Sequence, residues 1–470
     1  MRVSLKNTLA FNFSIYFLGS LILKSVSFIT TPIFTRILSQ EDYGIISIYQ
    51  TWVSIFAIFI GLQMSGSIAT ARVHLEERVF LSYLKSVLAL SFIAFFIISG
   101  VSFLFGDWLV KILELDSKLL PFLLVQAFGT SCSVFYLTYT IQLKKAVNHL
   151  IFSVASTVAM IALSLILILY MKEDKYIGRV IGGFSVAIPV ILFVYLRLFF
   201  AKKSKISIAH WRYALPLSLP LIVHLVSNLV VSQSDKLILN EFLGYDTVAI
   251  YSVAYTMGSL GLFISEATNN VWSPWYLDNT KRQDNEKINE ISKKYILVLS
   301  FVFVVITFTA PEFLSLMTPE SYQSGEKAFI IITLGVFFQF LYRFPLGYEQ
   351  YSKNMKWVAV ATIITALLNI GLNYYLIPTY GMEGAAYATL ISYIILFLMH
   401  ENIARFVIKG YNIHFLNYGP GSLLVFTGGI LSTILLDYIF VRYIILFVLI
   451  VVMASWAKKV FRNKIPLIKK

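Results

Sequence analysis

Long apolar runs follow one another along almost the whole chain, and they restrict its fold more than any other feature. A helix crosses a bilayer with about 20 mostly apolar residues, and about fourteen runs of this length can be delimited. Their approximate limits are 9–35, 44–66, 82–105, 119–141, 150–170, 176–198, 213–234, 247–270, 295–317, 326–349, 357–377, 384–404, 419–437 and 441–457. Because a span in lipid must satisfy its own backbone hydrogen bonds, they predict an all-α integral membrane protein.

Charge is scarce, which agrees with a lipid-facing surface. Charged residues make up 13% of the chain and hydrophobic residues 58%, whereas soluble domains carry about 25% charge. The single cysteine, Cys132, lies inside an apolar run, so no internal disulfide is possible and a buried thiol is expected.

Basic residues fall mainly on alternate sides of the predicted spans. With the N-terminus placed in the cytoplasm, 27 of the 38 Lys and Arg residues lie in inside segments and 9 in outside segments. The remaining two, Lys24 and Arg343, fall within spans. This bias predicts cytoplasmic N- and C-termini in a cytoplasmic (inner) membrane. It also assigns the net charge of +14 to topology and anionic lipid headgroups, so no nucleic-acid partner is expected.

A short internal repeat divides the chain. The segment LSQEDYGIISIY (38–49) aligns without gaps with LGYDTVAIYSVA (243–254), at an offset of 205 residues. That offset holds about six spans, so both copies have the same orientation, as in transporters with parallel repeats. We therefore predict six-helix lobes at 1–205 and 206–410, followed by two further helices and a basic tail at 411–470.

The first span contains a lysine, Lys24, on a polar stripe. Its helical neighbours include Ser20, Ser27 and Thr31, whereas the other faces are apolar. A charge inside a membrane is costly. Three interpretations remain open: the lysine lines a wet cavity and binds an anion, pairs with a carboxylate, or extends toward an interface. The stripe favours the cavity, with these four residues as substrate contacts.

Other polar residues occur in later spans. Arg343, in the tenth, either binds an anion or extends to the cytoplasmic interface, and Glu266, in the eighth, either takes part in ion coupling or pairs with a cation. His224, Asn228 and Asp235 share a face of the seventh span. His224 is either a proton site or a neutral, hydrogen-bonded histidine, and Asp235 either couples to an ion or forms an interfacial pair. The coupling ion, proton or sodium, stays open.

Catalytic patterns are missing from the sequence. It contains no metal-ligand cluster, glycine-rich phosphate loop or plausible catalytic triad. We therefore expect a transporter without catalytic residues, metal or cofactor, rather than an enzyme.

Four stretches together carry a family resemblance: TTPIFTRILSQEDYGIISIYQTW, SDKLILNEFLGYDTVAIYSVAY, VWSPWY and IPTYGMEGAAYATLISY. In this order and spacing, the chain resembles the Wzx-type lipid-linked oligosaccharide flippases, the polysaccharide-biosynthesis branch of the multidrug/oligosaccharidyl-lipid/polysaccharide (MOP) exporter superfamily. The resemblance implies a MATE-like fold, in which two six-helix bundles form a V around a central cavity beside helices 13 and 14.

The resemblance also implies a function. The cargo would be an undecaprenyl-pyrophosphate-linked oligosaccharide repeat unit for O-antigen or capsule-type polysaccharide, moved to the outer leaflet, with polysaccharide polymerase machinery as a partner. Lys24 and Arg343 would then contact the pyrophosphate. The alternatives are a related exporter with other cargo (a peptidoglycan-precursor flippase or a drug/cation antiporter) and, more remotely, a membrane polysaccharide polymerase or ligase.

Overall fold

The chain is helical throughout the part that the structure describes. The structure is a computed structural model that describes Gly19, Val26 and residues 28–200, 205–352 and 354–462, and no strand occurs among them. This confirms the predicted all-α class. Apolar runs form helices here because only a helix satisfies every backbone donor and acceptor within one segment.

The helices follow one another with short connections. A first helix, α1, covers residues 28–37. The later helices are α2 (Gln40–Gly61), α3 (Ile68–His74), α4 (Glu77–Leu104), α5 (Gly106–Leu113), α6 (Leu120–Gln142), α7 (Ala146–Tyr170), α8 (Lys175–Val194), α9 (Ile208–Gly258), α10 (Leu260–Lys281), α11 (Asn285–Phe308), α12 (Ala310–Met317), α13 (Glu326–Leu341), α14 (Arg343–Tyr351), α15 (Met355–Asn402), α16 (Gly419–Ile434) and α17 (Ile439–Arg462).

Ten helical segments among the described residues are long and apolar enough to cross a membrane. Two of them, Ile208–Asn269 and Lys356–Ile408, are long enough for two crossings each, and non-helical backbone interrupts them at Gly244 and Gly381. Each break falls between two predicted spans. The protein is therefore a multi-pass membrane protein. Most of the predicted first span, 9–35, lies outside the described residues.

Each copy of the internal repeat contains a residue with non-helical backbone, and the two residues occupy aligned positions. Ser39 is the extended N-cap of α2, with φ −66° and ψ 164°. Gly244, its counterpart in the aligned copy, has φ 77° and ψ 177°, a conformation that favours glycine. π-helical segments also recur at a similar spacing, beginning at Tyr195 and Ile403. Local structure thus repeats at about the spacing of the sequence match.

A glycine allows the two repeat copies to approach each other closely. A Cβ at Gly44, in α2, would lie 2.0 Å from the backbone oxygen of Tyr245, so a side chain has no room there. Ser39 caps the same helix: its hydroxyl accepts the Asp42 amide, and the Asp42 carboxylate accepts the Ser39 amide and hydroxyl. Gly44 and Tyr245, one from each aligned segment, are therefore in direct contact within the first unit.

The chain divides into two compact units, residues 1–252 and 253–470. In the first, α6 packs against α2 and α8, and α7 against α8. In the second, α13 is buried on all sides and packs against α15, as expected of a helix that is apolar all round. The boundary of these units lies within α9. The lobes predicted at 1–205, 206–410 and 411–470 remain a prediction.

Candidate substrate site

Arg343 and Glu266, two charges predicted within spans, form an ion pair in the second unit. Arg343 begins α14, and Glu266 lies on α10; the Arg343 Nη2 atom is 3.2 Å from Glu266 Oε1. The side chains are 21% and 38% exposed, respectively. Neutralisation by a partner lowers the cost of placing each charge within a membrane segment. Both side chains are therefore partly accessible to solvent.

A cavity of about 230 Å³ adjoins this pair, between α10 and α14. Its polar and aromatic lining includes Asn269, Trp272, Tyr276, Tyr342, Arg343 and Gln350. The volume is below the roughly 300–1,000 Å³ typical of pockets for drug-sized ligands. The cavity therefore has room for a headgroup or one ring of a larger molecule. We call it the Arg343 pocket.

The Arg343 pocket combines two kinds of recognition chemistry. A guanidinium presents five N–H donors in a planar fork that suits phosphate oxygens. Trp272 is held by stacking on Tyr276 and Tyr295, with ring centroids 5.8 and 5.1 Å apart, so its position is fixed by packing. Aromatic faces beside the amides of Asn269 and Gln350 suit a ligand with apolar faces and hydroxyl edges. The lining thus fits an anion attached to a polar ring.

A second polar cavity, of about 250 Å³, lies within the first unit among α2, α6, α7 and α8. Gln50, Gln126, Thr130, Ser133 and Thr157 contribute to its lining. Gln126 is fixed there, because its amide nitrogen donates to the Tyr49 hydroxyl and to the Val180 carbonyl, each at 2.8 Å. Its chemistry is that of hydroxyls and amides without an ionised group in the lining.

Of the four residues predicted as substrate contacts in the first span, Thr31 is the one that the structure describes. Lys24, Ser20 and Ser27 lie outside the described residues, so their predicted contacts remain predictions. Thr31 is 4% exposed and shares a hydrogen bond with Tyr43 of α2. Its surroundings in this structure are those of a packed side chain.

The predicted face of the seventh span is present in α9. The Asn228 amide nitrogen lies 3.1 Å from His224 Nε2, so the two side chains contact each other one turn apart. Asp235 is fully buried, and its carboxylate accepts the Tyr251 hydroxyl and the backbone amide of Lys236, the latter at 2.9 Å. The structure therefore surrounds Asp235 with donors, and its predicted role in ion coupling remains a prediction.

Two arginines that pack inside the fold were not singled out from the sequence. Arg179 and Arg442 were counted with the outside basic residues, although they lie near the starts of the predicted spans 176–198 and 441–457, and both are on helices. Arg179 donates to the Ser164 hydroxyl at 2.9 Å and lies 5.0 Å from the ring centre of Phe34. Arg442 is 1% exposed and pairs with Glu312. Both residues stand at the ends of apolar runs, where a charge is easily assigned to a loop.

Glu349 and His400 were also missed. Both are fully buried in the second unit, with the His400 Nδ1 atom 2.7 Å from Glu349 Oε2. Each residue lies near the end of a predicted span, a position that is usually solvated. The sequence signal that was available is a carboxylate and a histidine near the same ends of the tenth and twelfth predicted spans.

The fold and these polar cavities define a class of protein: multi-pass helical proteins with a parallel repeat and polar cavities are typical of secondary transporters. The family described as "Polysaccharide biosynthesis protein" matches residues 9–280. The chain belongs to this family, which confirms the resemblance stated from its sequence motifs.

Individual relatives agree with this assignment. A putative O-antigen transporter of Salmonella typhimurium is 22% identical over 402 residues, covering 80% of this chain and 91% of the relative. A probable low-salt glycan biosynthesis flippase, Agl15, of Haloferax volcanii is 25% identical over 187 residues, covering 38% and 39%. Among solved structures, the lipid II flippase MurJ in an inward closed conformation has a TM-score of 0.70 at 16% identity, covering 95% of this chain and 99% of that one. The last likeness shows a shared fold.

Proposed function

We propose that this protein is a flippase that moves undecaprenyl-pyrophosphate-linked oligosaccharide repeat units from the cytoplasmic to the outer leaflet by alternating access. The product would be a surface polysaccharide of the O-antigen or capsule type. The Arg343 pocket carries the proposal, because it places a cation beside aromatic and amide side chains in a membrane protein of the polysaccharide biosynthesis family. The names of the two relatives, a transporter and a flippase, support transport rather than catalysis.

The pyrophosphate would bind by partner exchange at Arg343. Among the described residues, Glu266 is the carboxylate paired with Arg343, and it uses one guanidinium nitrogen. A pyrophosphate carries more negative charge than one carboxylate and accepts two parallel N–H bonds from the fork. It would therefore displace Glu266, and the return of Glu266 would favour release. Lys24 is proposed as a second cation for the same headgroup.

The glycan and the lipid would follow different routes. Sugar rings need hydrogen bonds that lipid cannot provide, and polar cavities such as the Arg343 pocket supply them. The polyprenyl chain would stay in the bilayer. The excess of basic residues on alternate sides supports a cytoplasmic membrane location with both termini inside. On this orientation, a polysaccharide polymerase would receive the flipped unit.

A complementation experiment tests the proposal. The deletion strain would receive wild type, Arg343→Ala, Arg343→Lys, Lys24→Ala or the control Lys327→Ala, which removes a cation from an exposed pair with Glu383 in the same unit. Surface polysaccharide and intracellular lipid-linked units would be measured at matched membrane levels.

We expect Arg343→Ala and Lys24→Ala to lose surface glycan while lipid-linked units accumulate. Arg343→Lys should retain part of the export, because lysine keeps the positive charge but lacks the paired N–H donors of the planar guanidinium. Lys327→Ala should match wild type, since exposed pairs contribute little. Normal glycan and no accumulation in the deletion strain would rule out the proposed function.

A further inference from the structure

Glu349 and His400 form a carboxylate–imidazole pair that the proposed cargo pocket does not use. Glu349 lies in the last turn of the short helix α14, and His400 lies near the end of α15. Both side chains are 0% exposed, and His400 Nδ1 is 2.7 Å from Glu349 Oε2. Buried ionisable groups within membrane spans usually serve transport or proton relay.

The pair has an unsatisfied atom at each end. Glu349 Oε1 and His400 Nε2 are buried and have no hydrogen-bond partner among the described residues. Leaving such an atom unpaired is unfavourable, because it gives up its hydrogen bonds to water and gains none in return. A purely structural contact would gain more from apolar side chains of the same volume. The pair therefore has a feature that packing alone does not explain.

Charge neutrality determines how many protons the buried pair holds. A carboxylate with an imidazolium is net neutral, and so is a carboxylic acid with a neutral imidazole. Losing one proton leaves a net charge of −1, which is expensive in a low-dielectric interior and much cheaper in water. His400 Nε2 is the nitrogen that can release this proton without breaking the bond between Nδ1 and Glu349. Proton release is thus linked to a conformation in which water reaches the pair.

Other titratable groups pack beside the pair at the end of α15. Glu401, beside His400, accepts from Arg405 Nε at 2.6 Å. The hydroxyls of Tyr411 and Tyr418 lie 2.6 Å apart, and burial raises the pKa of both well above its usual range, so they stay protonated. These groups face the end of α15.

On its other side, the pair is connected to the Arg343 pocket. The Tyr342 ring lies 5.5 Å from the His400 ring, between centroids, and Tyr342 is also close to Glu349 and Arg343. Arg343 and Glu349 belong to the same nine-residue helix, α14. A movement of α14 that exposes Glu349 to water therefore also moves Arg343 relative to Glu266 on α10.

We propose that the Glu349–His400 pair is a proton-binding site that exchanges one proton with water when α14 moves, and thereby couples proton movement to cargo movement at Arg343. The coupling to cargo rests on the proposed function. The proton-binding site does not, because it concerns how the protein's own conformation depends on proton binding.

The test measures conformation against pH without any cargo. Full-length protein in lipid nanodiscs would carry a dye pair at Arg78→Cys and Lys287→Cys, both exposed positions, in a Cys132→Ser background. Single-molecule energy transfer would be recorded between about pH 5 and pH 8. Wild type would be compared with Glu349→Gln, His400→Gln and the control Glu312→Gln, which breaks the ion pair with Arg442 in the same unit.

We expect the wild-type distribution of transfer efficiencies to shift with pH, and this shift to be lost in Glu349→Gln and His400→Gln. Glu312→Gln should keep the wild-type midpoint. A wild-type protein without a pH response, or either pair variant with the wild-type midpoint, would overturn the proposal. If one pair variant fails to fold, the other variant and the wild-type titration still decide. A normal surface glycan in the deletion strain would contradict the proposed cargo. It would not affect the pH dependence measured here, because that measurement uses no cargo.

Discussion

The guanidinium of Arg343 lies 3.2 Å from the carboxylate of Glu266, although 77 residues separate them in the chain. Each charge alone would be costly in a membrane span, and together they cancel. The same contact makes Arg343 available to a stronger anion, because Glu266 is 38% exposed and gains solvation when it is released. On the proposed function, Arg343 would pair with Glu266 at rest and with the pyrophosphate during transport.

Glu266→Gln should tighten pyrophosphate binding. The substitution removes the competing carboxylate and leaves Arg343 for the ligand. A partly exposed ion pair contributes up to about 1 kcal/mol, so the gain should be at most about fivefold. Arg343→Ala should bind more weakly than wild type. Titration of undecaprenyl pyrophosphate onto protein in nanodiscs measures both effects, and equal affinities for all three proteins would exclude partner exchange.

Gly44→Ala should destabilise the contact between the repeat segments. Its Cβ would meet the Tyr245 carbonyl oxygen at 2.0 Å, and overpacking of this kind costs about 1–3 kcal/mol. Gly100→Ala is the matched control, because this helical glycine has nothing within 4 Å of its Cβ position. The control should be neutral or slightly more stable. Thermal unfolding in detergent measures both, and equal midpoints would contradict the close approach.

Glu312 and Arg442 should respond unequally to loss of their partner. Glu312→Gln leaves a guanidinium that is 1% exposed, whereas Arg442→Met leaves a carboxylate that is 32% exposed and can be solvated. Breaking a buried pair costs about 3–5 kcal/mol, so Glu312→Gln should approach the lower value and Arg442→Met should cost less. The double variant should recover part of the loss. Unfolding midpoints of the four proteins provide the comparison, and a larger loss for Arg442→Met would contradict it.

Asp42→Ala should weaken the start of α2 and its connection to α8. The Asp42 carboxylate accepts the Ser39 hydroxyl at 2.7 Å and the Tyr176 amide at 3.0 Å. Loss of a helix cap costs about 0.5–2 kcal/mol. Glu41→Ala removes the same charge from the adjacent exposed position and should have a smaller effect on the unfolding midpoint. Equal effects of the two substitutions would show that the lost negative charge, and not the lost cap, lowers the unfolding midpoint.

Sequence reasoning predicted more of the fold than of the site. The spans, the family and the repeat all came from local patterns, and the two repeat breaks occur at aligned positions, Ser39 and Gly244. Arg343 and Glu266 were each singled out, yet their pairing was not. Arg179 and Arg442 were counted with the adjacent outside segments, because a span boundary cannot be read from hydropathy to within one helical turn.

What the sequence determined by itself is a membrane protein with repeated helical spans, because apolar run length and turn residues act over a few neighbouring positions. Tertiary structure decided which charges meet. Glu349 and His400, 51 residues apart, are brought to 2.7 Å by the packing of α14 on α15. No local pattern encodes such a contact, because it depends on the rotation and register of two helices relative to each other. The charges that transport would use are therefore defined by helix packing.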